Sequence, residues 1–481
     1  MADTAKFDLV VVGGGPGGYV GAIRAAQLGM KVACVERDKL GGVCLNWGCI
    51  PTKALLAGAE FYHRLKHEAA DWGIHAEGVG HDWDKVISRS RGVASQLNKG
   101  VGFLFKKNKV THIQGHAFIP KAGTVEVYAA DDVEHKAEVK QVLEAKNILV
   151  ATGARPRPLP GAAFDGERII AAKEAMTMKT QPKKMLIVGA GAIGMEFAYF
   201  YNTFGTECTV VEMQDRLLPI EDAEVSAAIE RSFKKAGVGI RSGHKTLSLE
   251  KTSNGVKATI APVGDEKKVE TIEADVALVA IGVMGRYDGL FSDSLKLETF
   301  KDHIKIDYMR EGADYQTSVK GIYAIGDVIG PPWLAHVSSE EAIVCVERMA
   351  GHHAPDIDYN GIPGCTYCQP QVASVGLTER AAKEQGIEYV ASKFPFQASG
   401  KAQALGATEG FSKLITGKKH GEILGAHMIG EGVTELIAEI CLAMRLEATA
   451  DEVIGTIHAH PTMSEATHEA ALGAQNRMIH F

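Results

Sequence analysis

The sequence predicts an α/β protein built on two copies of one βαβ unit, with a mixed α+β segment towards its C-terminal end. Two observations lead there. An apolar run, a glycine-rich turn, an apolar helical stretch and a second apolar run ending in glutamate occur twice, displaced by 176 residues. The chain also holds 53 glycines in 481 residues, more than the usual share of about 7%. They follow no three-residue period, so they serve particular backbone positions and not a collagen-like repeat.

In the first copy the run at residues 7–12 enters Gly13-Gly14-Gly15-Pro16-Gly17-Gly18, and the second run ends at Glu36. In the second copy residues 185–188 enter Gly189-Ala190-Gly191-Ala192-Ile193-Gly194, and the second run ends at Glu212. Both turns read G-x-G-x-x-G, and each acid follows the last glycine by 18 positions. A lone motif of this kind is weak. A strand before it, a helix after it and an acid closing the next strand make the dinucleotide-binding context. The first glycine (Gly13, Gly189) permits the tight turn, and the second (Gly15, Gly191) lets backbone approach a diphosphate. The third (Gly18, Gly194) lets helix pack on strand. The helix N-terminus offers unpaired N–H groups to the phosphates, and the acid accepts from ribose hydroxyls. The alternative, two unrelated glycine-rich turns, does not account for the duplicated spacing. A carboxylate at Glu212 would repel the 2′-phosphate of NADP, so NAD is favoured there, with Arg216 as the nearby cation that opposes this. Two such sites suggest a bound flavin dinucleotide, FAD, and an exchanging NAD. The expected fold class is therefore α/β with two Rossmann-like domains and a C-terminal α+β domain.

Charge and termini exclude other classes. The formal charge is -7, whereas a nucleic-acid surface is usually basic. No apolar run approaches the ~20 residues that span a bilayer, and the N-terminal residues show neither a signal-peptide nor a transit-peptide pattern. A cytoplasmic chain is expected, or a mitochondrial matrix protein if it has been processed. Eight cysteines are too sparse for a secreted disulfide scaffold.

Cys44 and Cys49 follow the first βαβ unit in Gly41-Gly42-Val43-Cys44-Leu45-Asn46-Trp47-Gly48-Cys49-Ile50-Pro51-Thr52-Lys53. In a regular helix residues five apart have Cα atoms roughly 8–9 Å apart, beyond the ~7 Å limit for a disulfide. If the two bond, the helix must be distorted. Gly48 supplies backbone freedom and Pro51 suits the first turn of a resumed helix. On spacing alone, two cysteines that never meet is the other reading.

This block, together with Ala151-Thr152-Gly153, residues 321–327 ending in Asp327, and His458-Ala459-His460-Pro461-Thr462-Met463-Ser464-Glu465, resembles the pyridine nucleotide–disulfide oxidoreductases along essentially the whole chain. Within them it is most similar to the branch that oxidises dihydrolipoyl groups. The resemblance implies a flavoenzyme that returns dihydrolipoyl groups on a lipoylated E2 acyltransferase to the disulfide and reduces NAD+ to NADH. It implies that Cys44 and Cys49 form a redox disulfide, Cys44 exchanging with substrate and Cys49 lying against the flavin. His460 would be the base that deprotonates substrate thiols, and Glu465 would orient it. The alternative for His460 is a loop histidine, or a metal ligand paired with His458. The resemblance further implies a homodimer in which this histidine reaches the disulfide of the other subunit. Lys53 and Glu196 resemble a pair near the flavin and nicotinamide rings, and Asp327 resembles the aspartate that bonds the flavin ribityl chain. Thr152, Gly153 and Gly282 fall at strand ends expected to line the cofactors.

The resemblance implies four segments: 1–154 with the flavin fingerprint and disulfide, 155–280 for NAD, 281–350 completing the flavin site, and 351–481 for dimerisation. A helix is expected over 82–107 and a small antiparallel sheet over 119–147. With no lipoyl-type domain before Phe7, the lipoyl group is expected on a partner. One stretch departs from the family. Many members read G-R-R-P-N after the strand that closes the NAD domain, whereas this chain reads Gly282-Val283-Met284-Gly285-Arg286. Two sibling activities are the alternatives. A glutathione reductase would need a site for the NADPH phosphate, which Glu212 opposes. A mercuric reductase typically carries a C-terminal cysteine pair, and the last cysteine here is Cys441. Cys365-Thr366-Tyr367-Cys368 invites a zinc reading, but no second C-x2-C exists to complete four ligands, so no metal site is expected.

Overall fold

Strand Thr4–Val12 carries Leu9, Val10, Val11 and Val12 as a continuous buried run. That pattern belongs to a parallel strand covered on both faces. The structure, a computed structural model, describes residues 4–481, which form two compact units. The first comprises the chain up to residue 54, with 87–157 and 282–357. The second comprises 55–86, 158–281 and 358–481.

In the first unit the sheet order is Thr111–Gln114, Val32–Glu36, Thr4–Val12, Gln141–Val150, Thr124–Tyr128 and His116–Lys121. The first four strands are parallel and the last two are antiparallel. Strand Gln141–Val150 is long enough to serve both halves. Its start pairs with Thr124–Tyr128 on one side, its end pairs with Ile322–Ala324, and from Val142 to Val150 it pairs with Thr4–Val12. The expected antiparallel sheet is thus present, and the expected helix runs Trp83–Lys107. Helix Pro16–Gln27 buries Gly17, Gly18, Gly21, Ala22 and Ala25 on one face. That face of small residues lets helix Ala335–Met349 approach closely: a Cβ on Gly17 would lie 3.0 Å from the Ser338 carbonyl oxygen. Arg24 and Glu347 bridge the two helices at 2.6 Å.

The second unit repeats the pattern. Its parallel sheet runs Gly239–Arg241, Glu207–Val211, Lys184–Val188, Val276–Val279 and Ile169–Ile170. Leu186, Val188, Val211, Ala277 and Val279 form its core. A three-stranded antiparallel sheet, His244–Lys251, Val256–Pro262 and Glu270–Ala274, follows. The C-terminal part is a five-stranded antiparallel sheet of Gly364–Thr366, Gln371–Gly376, Ile423–Gly430, Gly410–Gly417 and Tyr389–Pro395. Its core residues Leu414, Ala426 and Met428 cluster with Ile437 and Ala470 of helices Val433–Arg445 and Glu465–Ala474. The molecule is therefore α/β, with two Rossmann-like domains and a C-terminal α+β domain. Among the described residues, no helix is long and apolar enough to cross a membrane.

One buried charge ties the C-terminal sheet to the nucleotide-binding part of this unit. Lys413, in strand Gly410–Gly417, is 1% exposed, and its ammonium lies 2.9 Å from Asp222, 2.8 Å from Glu224 and 2.5 Å from Glu379. Asp222 also caps helix Ala223–Lys235 by accepting the Glu224 N–H. The three carboxylates lie close enough together to hold a metal ion, but the lysine already occupies that role. Burial alone would lower the Lys413 pKa, and its three partners outweigh it and hold it well above the usual range. Burial alone would likewise raise Asp222, whereas the bond to Lys413 holds it below the usual carboxylate range. A carboxylate depressed in the fold stabilises it above its unfolded pKa, and that contribution is lost as pH falls through the folded value. Lys413→Met, which leaves buried Asp222 without its cation, is expected to cost about 3–5 kcal/mol at pH 7. The deficit should shrink towards pH 4, where the carboxylate can protonate. Denaturant unfolding at the two pH values measures this, and an equal deficit at both would contradict it.

Candidate active site

The two dinucleotide turns are alike down to individual hydrogen bonds. Gly13 (φ 101°) and Gly189 (φ 105°) have backbones that L side chains rarely adopt. A Cβ on either would overlap a carbonyl of the neighbouring strand end, Ala151 or Ala280. A Cβ on Gly18 or Gly194 would overlap the Gly13 or Gly189 carbonyl. Gly15 and Gly191 are the N-caps of helices Pro16–Gln27 and Ala192–Thr203, extended at ψ −175° and −179°, with no side-chain cap. Both helix N-termini therefore keep first-turn N–H groups that no capping side chain takes.

The acids behave identically. Glu36 accepts the Gly14 N–H at 2.7 Å and the Asp38 N–H at 2.6 Å. Glu212 accepts the Ala190 and Gln214 N–H groups, both at 2.7 Å. Each carboxylate is locked against its own glycine turn, where a ribose would meet it. Arg216, the cation that argued for NADP, pairs with Asp215 through two bonds of 2.8 and 2.9 Å. Cradles that a Cβ would fill, uncapped N–H groups and a fixed carboxylate fit a dinucleotide at both turns.

The first unit also holds the cysteine pair. Helix Gly42–Trp47 stops at Gly48, whose φ of −151° and ψ of −118° are not helical, and helix Cys49–His63 begins at once. A Cβ at Gly48 would lie 3.1 Å from the Val43 carbonyl oxygen. This break is the distortion that a bond across the C-x4-C spacing would require. The turn is pinned by buried Asn46, which donates to the Leu40 and Gly42 carbonyls at 2.9 Å each. Arg91 holds the Asn46 carbonyl at 2.6 Å, and Thr52 holds that of Gly48 at 2.7 Å. Cys44 and Cys49 are separate thiols in hydrogen-bond contact. That contact, then burial, pushes the Cys44 pKa up; Lys53 opposes the rise and Asp327 adds to it. Cys44, Cys49, Lys53 and Asp327 thus share one neighbourhood. Asp327 lies in a short turn, Gly326–Val328, after strand Ile322–Ala324, and burial pushes its carboxyl up to about 6. Tyr19, in helix Pro16–Gln27, lies within electrostatic reach of Cys44; no sequence motif marks it.

Thr152 Oγ1 donates to the Arg286 carbonyl at 2.5 Å, and the Gly153 carbonyl accepts the Arg286 N–H at 2.9 Å. Gly282 (φ 111°) accepts the Arg157 N–H at 3.0 Å. Glu196 and the histidine block belong to the second unit, whereas Lys53 belongs to the first. Glu196 is buried in helix Ala192–Thr203 and accepts the Tyr367 N–H at 3.0 Å.

His460 and Glu465 are joined, Nδ1 to Oε1, at 2.9 Å, and the His460–Pro461 peptide is cis. Glu465 opens helix Glu465–Ala474, and its other oxygen accepts the Thr462 N–H at 2.8 Å. Burial alone would raise Glu465, and the Thr462 N–H and the His460 ring together hold it low. An ionised carboxylate only accepts, so Nδ1 carries the proton and Nε2 is the open basic nitrogen. The His460 side chain is 79% exposed. His458 turns the other way, to Glu439 at 2.8 Å and the Thr456 carbonyl at 2.9 Å, so the two histidines do not form a metal pair.

Residues 7–342 match the pyridine nucleotide-disulphide oxidoreductase family, and residues 362–471 match its dimerisation domain. The chain belongs to this family. It is 46% identical to the dihydrolipoyl dehydrogenase of Zymomonas mobilis over 100% of both chains. It is 45% identical to that of Rhizobium etli, over 98% of this chain and 99% of the relative. It is 40% identical to the mitochondrial dihydrolipoyl dehydrogenase of Pisum sativum, over 98% and 92%. The crystal structure of LpdA from Mycobacterium tuberculosis superposes with a TM-score of 0.87 at 26% identity, covering 97% of this chain and 99% of that one. FAD and NAD are the dinucleotides of this flavoprotein family, and both turns fit such a group.

The two turns are separable by substitution. Gly13→Ala forces a side chain onto a positive-φ backbone, at about 1–2 kcal/mol, besides the overlap with Ala151. It is expected to abolish flavin retention, read as the 450 nm to 280 nm absorbance ratio. Gly189→Ala is expected to leave that ratio unchanged and to weaken NADH binding, followed by fluorescence. Flavin loss from the second variant would sink this assignment of turns.

Proposed function

We propose that this chain oxidises dihydrolipoyl groups carried on a lipoylated E2 acyltransferase and reduces NAD+ to NADH, as the E3 component of 2-oxo acid dehydrogenase complexes. The observation that carries the reading is the Cys44–Cys49 contact at the Gly48 break, in the same unit as the first dinucleotide turn. Full-length likeness to dihydrolipoyl dehydrogenases supports the substrate. Residues 1–154 and 281–350 serve the flavin, 155–280 the NAD, and 351–481 the dimer. Relatives from bacteria and from a plant mitochondrion support a bacterial cytoplasm or a mitochondrial matrix.

FAD, when bound, supplies two-electron transfer between the cysteine pair and the nicotinamide. The chain's residues do the thiol chemistry. With Cys44 and Cys49 joined as a disulfide, one substrate thiolate attacks the Cys44 sulfur. The S–S bond breaks, and its electron pair leaves on Cys49 as thiolate. The second substrate thiolate then attacks the substrate sulfur of the mixed disulfide, which closes the lipoyl ring and releases Cys44 as thiolate. Two protons leave the substrate thiols, which ionise only slightly near neutrality. The partner subunit's His460 accepts a proton at Nε2, and Glu465 holds the ring and stabilises its charge. Lys53 lies where its cation lowers the cost of negative charge on the cysteine pair. Glu36 and Glu212 bind ribose hydroxyls, and Asp327 binds the flavin side chain.

A steady-state assay with dihydrolipoamide and NAD+ tests the reading. Cys49→Ser should abolish turnover, because no disulfide can form. His460→Ala should lower turnover by about 10²-fold or more with its flavin content intact. Normal turnover in Cys49→Ser would exclude the disulfide route, and flavin loss in His460→Ala would make that residue structural. The locked Glu212 carboxylate also predicts that NADH outperforms NADPH in the reverse direction, and the opposite order would refute its role.

A further inference from the structure

Residues 282–288, where the chain departs from the family's Arg-Pro turn, place an arginine beside the first dinucleotide turn. Strand Val283–Gly285 runs antiparallel to Ala154–Pro156. Only glycine fits at 285, because a Cβ there would lie 2.8 Å from the Asp302 carbonyl oxygen and 3.0 Å from that of Val328. The Gly285 N–H donates to the same Asp302 carbonyl at 2.9 Å. Arg286 is then held on both sides, its N–H by Gly153 and its carbonyl by Thr152. Those two residues follow Ala151, whose carbonyl faces Gly13. The Arg286 side chain therefore starts at the rim of the first glycine turn.

Arg286 is half-buried, and its guanidinium lies within electrostatic reach of Arg37, Glu36, Arg155 and Asp38. The others in this group have partners. Arg155 pairs with Asp288 at 2.7 Å, and Arg37 meets His116 Nδ1 at 3.5 Å. Both Glu36 oxygens accept backbone N–H groups, and Asp38 accepts the Trp47 indole N–H at 2.8 Å. Among the described residues no acceptor bonds the Arg286 guanidinium. A half-buried cation without an acceptor, beside two like charges, is costly unless an anion joins it. A planar guanidinium matches phosphate oxygens two at a time, and the uncapped helix end at Gly15 presents further donors to the same class of ligand.

We propose that Arg286 is a binding residue of this chain for the anionic diphosphate of FAD, at the rim of the Gly13–Gly18 turn; this rests on the reading of that turn as the flavin site. The test strips flavin from the purified protein and titrates FAD back, following quenching of flavin fluorescence. In R286M the Kd for FAD should rise about 10- to 100-fold, the range of a charge-assisted hydrogen bond. R286K keeps the charge but loses the fork, so its Kd should rise by less. Thermal unfolding separates binding from a structural role. In R286M the holoprotein should melt lower than wild type, while the apoprotein melts at the same temperature or higher, because an unpaired cation has gone. A Kd within twofold of wild type, or equal drops in apo and holo melting, would overturn the proposal. If R286M does not fold, R286K decides alone, and a wild-type Kd there overturns it. Failure of the stripped wild-type protein to bind FAD would instead overturn the flavin assignment, and this proposal with it.

Discussion

A strand end and a glycine backbone approach so closely at two places in this chain that no side chain fits between them. The carbonyls of Ala151 and Ala280 stand where a Cβ of Gly13 or Gly189 would be. Everything at the nucleotide sites depends on this contact. It sets the angle at which each helix leaves its strand, and it brings Gly18 or Gly194 against the same turn. It also presents the next backbone N–H to the Glu36 or Glu212 carboxylate. Because the constraint is steric, a side chain at these positions would overlap backbone, and both turns carry glycine at the same three places.

The cysteine pair depends on a second backbone constraint. A continuous helix would hold Cys44 and Cys49 too far apart to bond. The helix is interrupted at Gly48, and Asn46, Arg91 and Thr52 hold the broken ends through backbone carbonyls. These supports are polar groups satisfied inside the fold, and they fix the backbone that carries the two thiols. The His460–Glu465 pair is built in the same way. A carboxylate at a helix start takes one backbone N–H and one ring nitrogen, leaving the other nitrogen open.

Charge placement separates structural clusters from functional ones. Lys413 with Asp222, Glu224 and Glu379 is self-contained: the cation has three carboxylates, and nothing is left for a ligand. Around Glu36 the balance differs, since every charged neighbour has a partner within the protein except Arg286. The first arrangement is closed among its own side chains, whereas the second leaves the Arg286 guanidinium with no acceptor among the described residues.

Much of this was legible in the sequence. Glycine turns, the strands before them and the acids after them are local features, written within about 30 residues, and their chemistry follows from residue type and spacing. The duplication made the reading firm. Gly48 and Pro51 likewise offered the break that a bond between Cys44 and Cys49 would need. What the sequence alone could not decide depends on residues far apart in the chain. Tyr19 beside Cys44, Tyr367 on Glu196, and Lys413 among three acids each join segments that carry no mutual signal in sequence. Arg286 is the clearest case. In the sequence it looked like the loss of a family turn, because only the pairing of Val283–Gly285 with Ala154–Pro156 shows where its backbone goes. Spacing along a chain determines turns and helix faces, whereas the partner of a charged side chain is decided by which strand ends the folded sheet brings together.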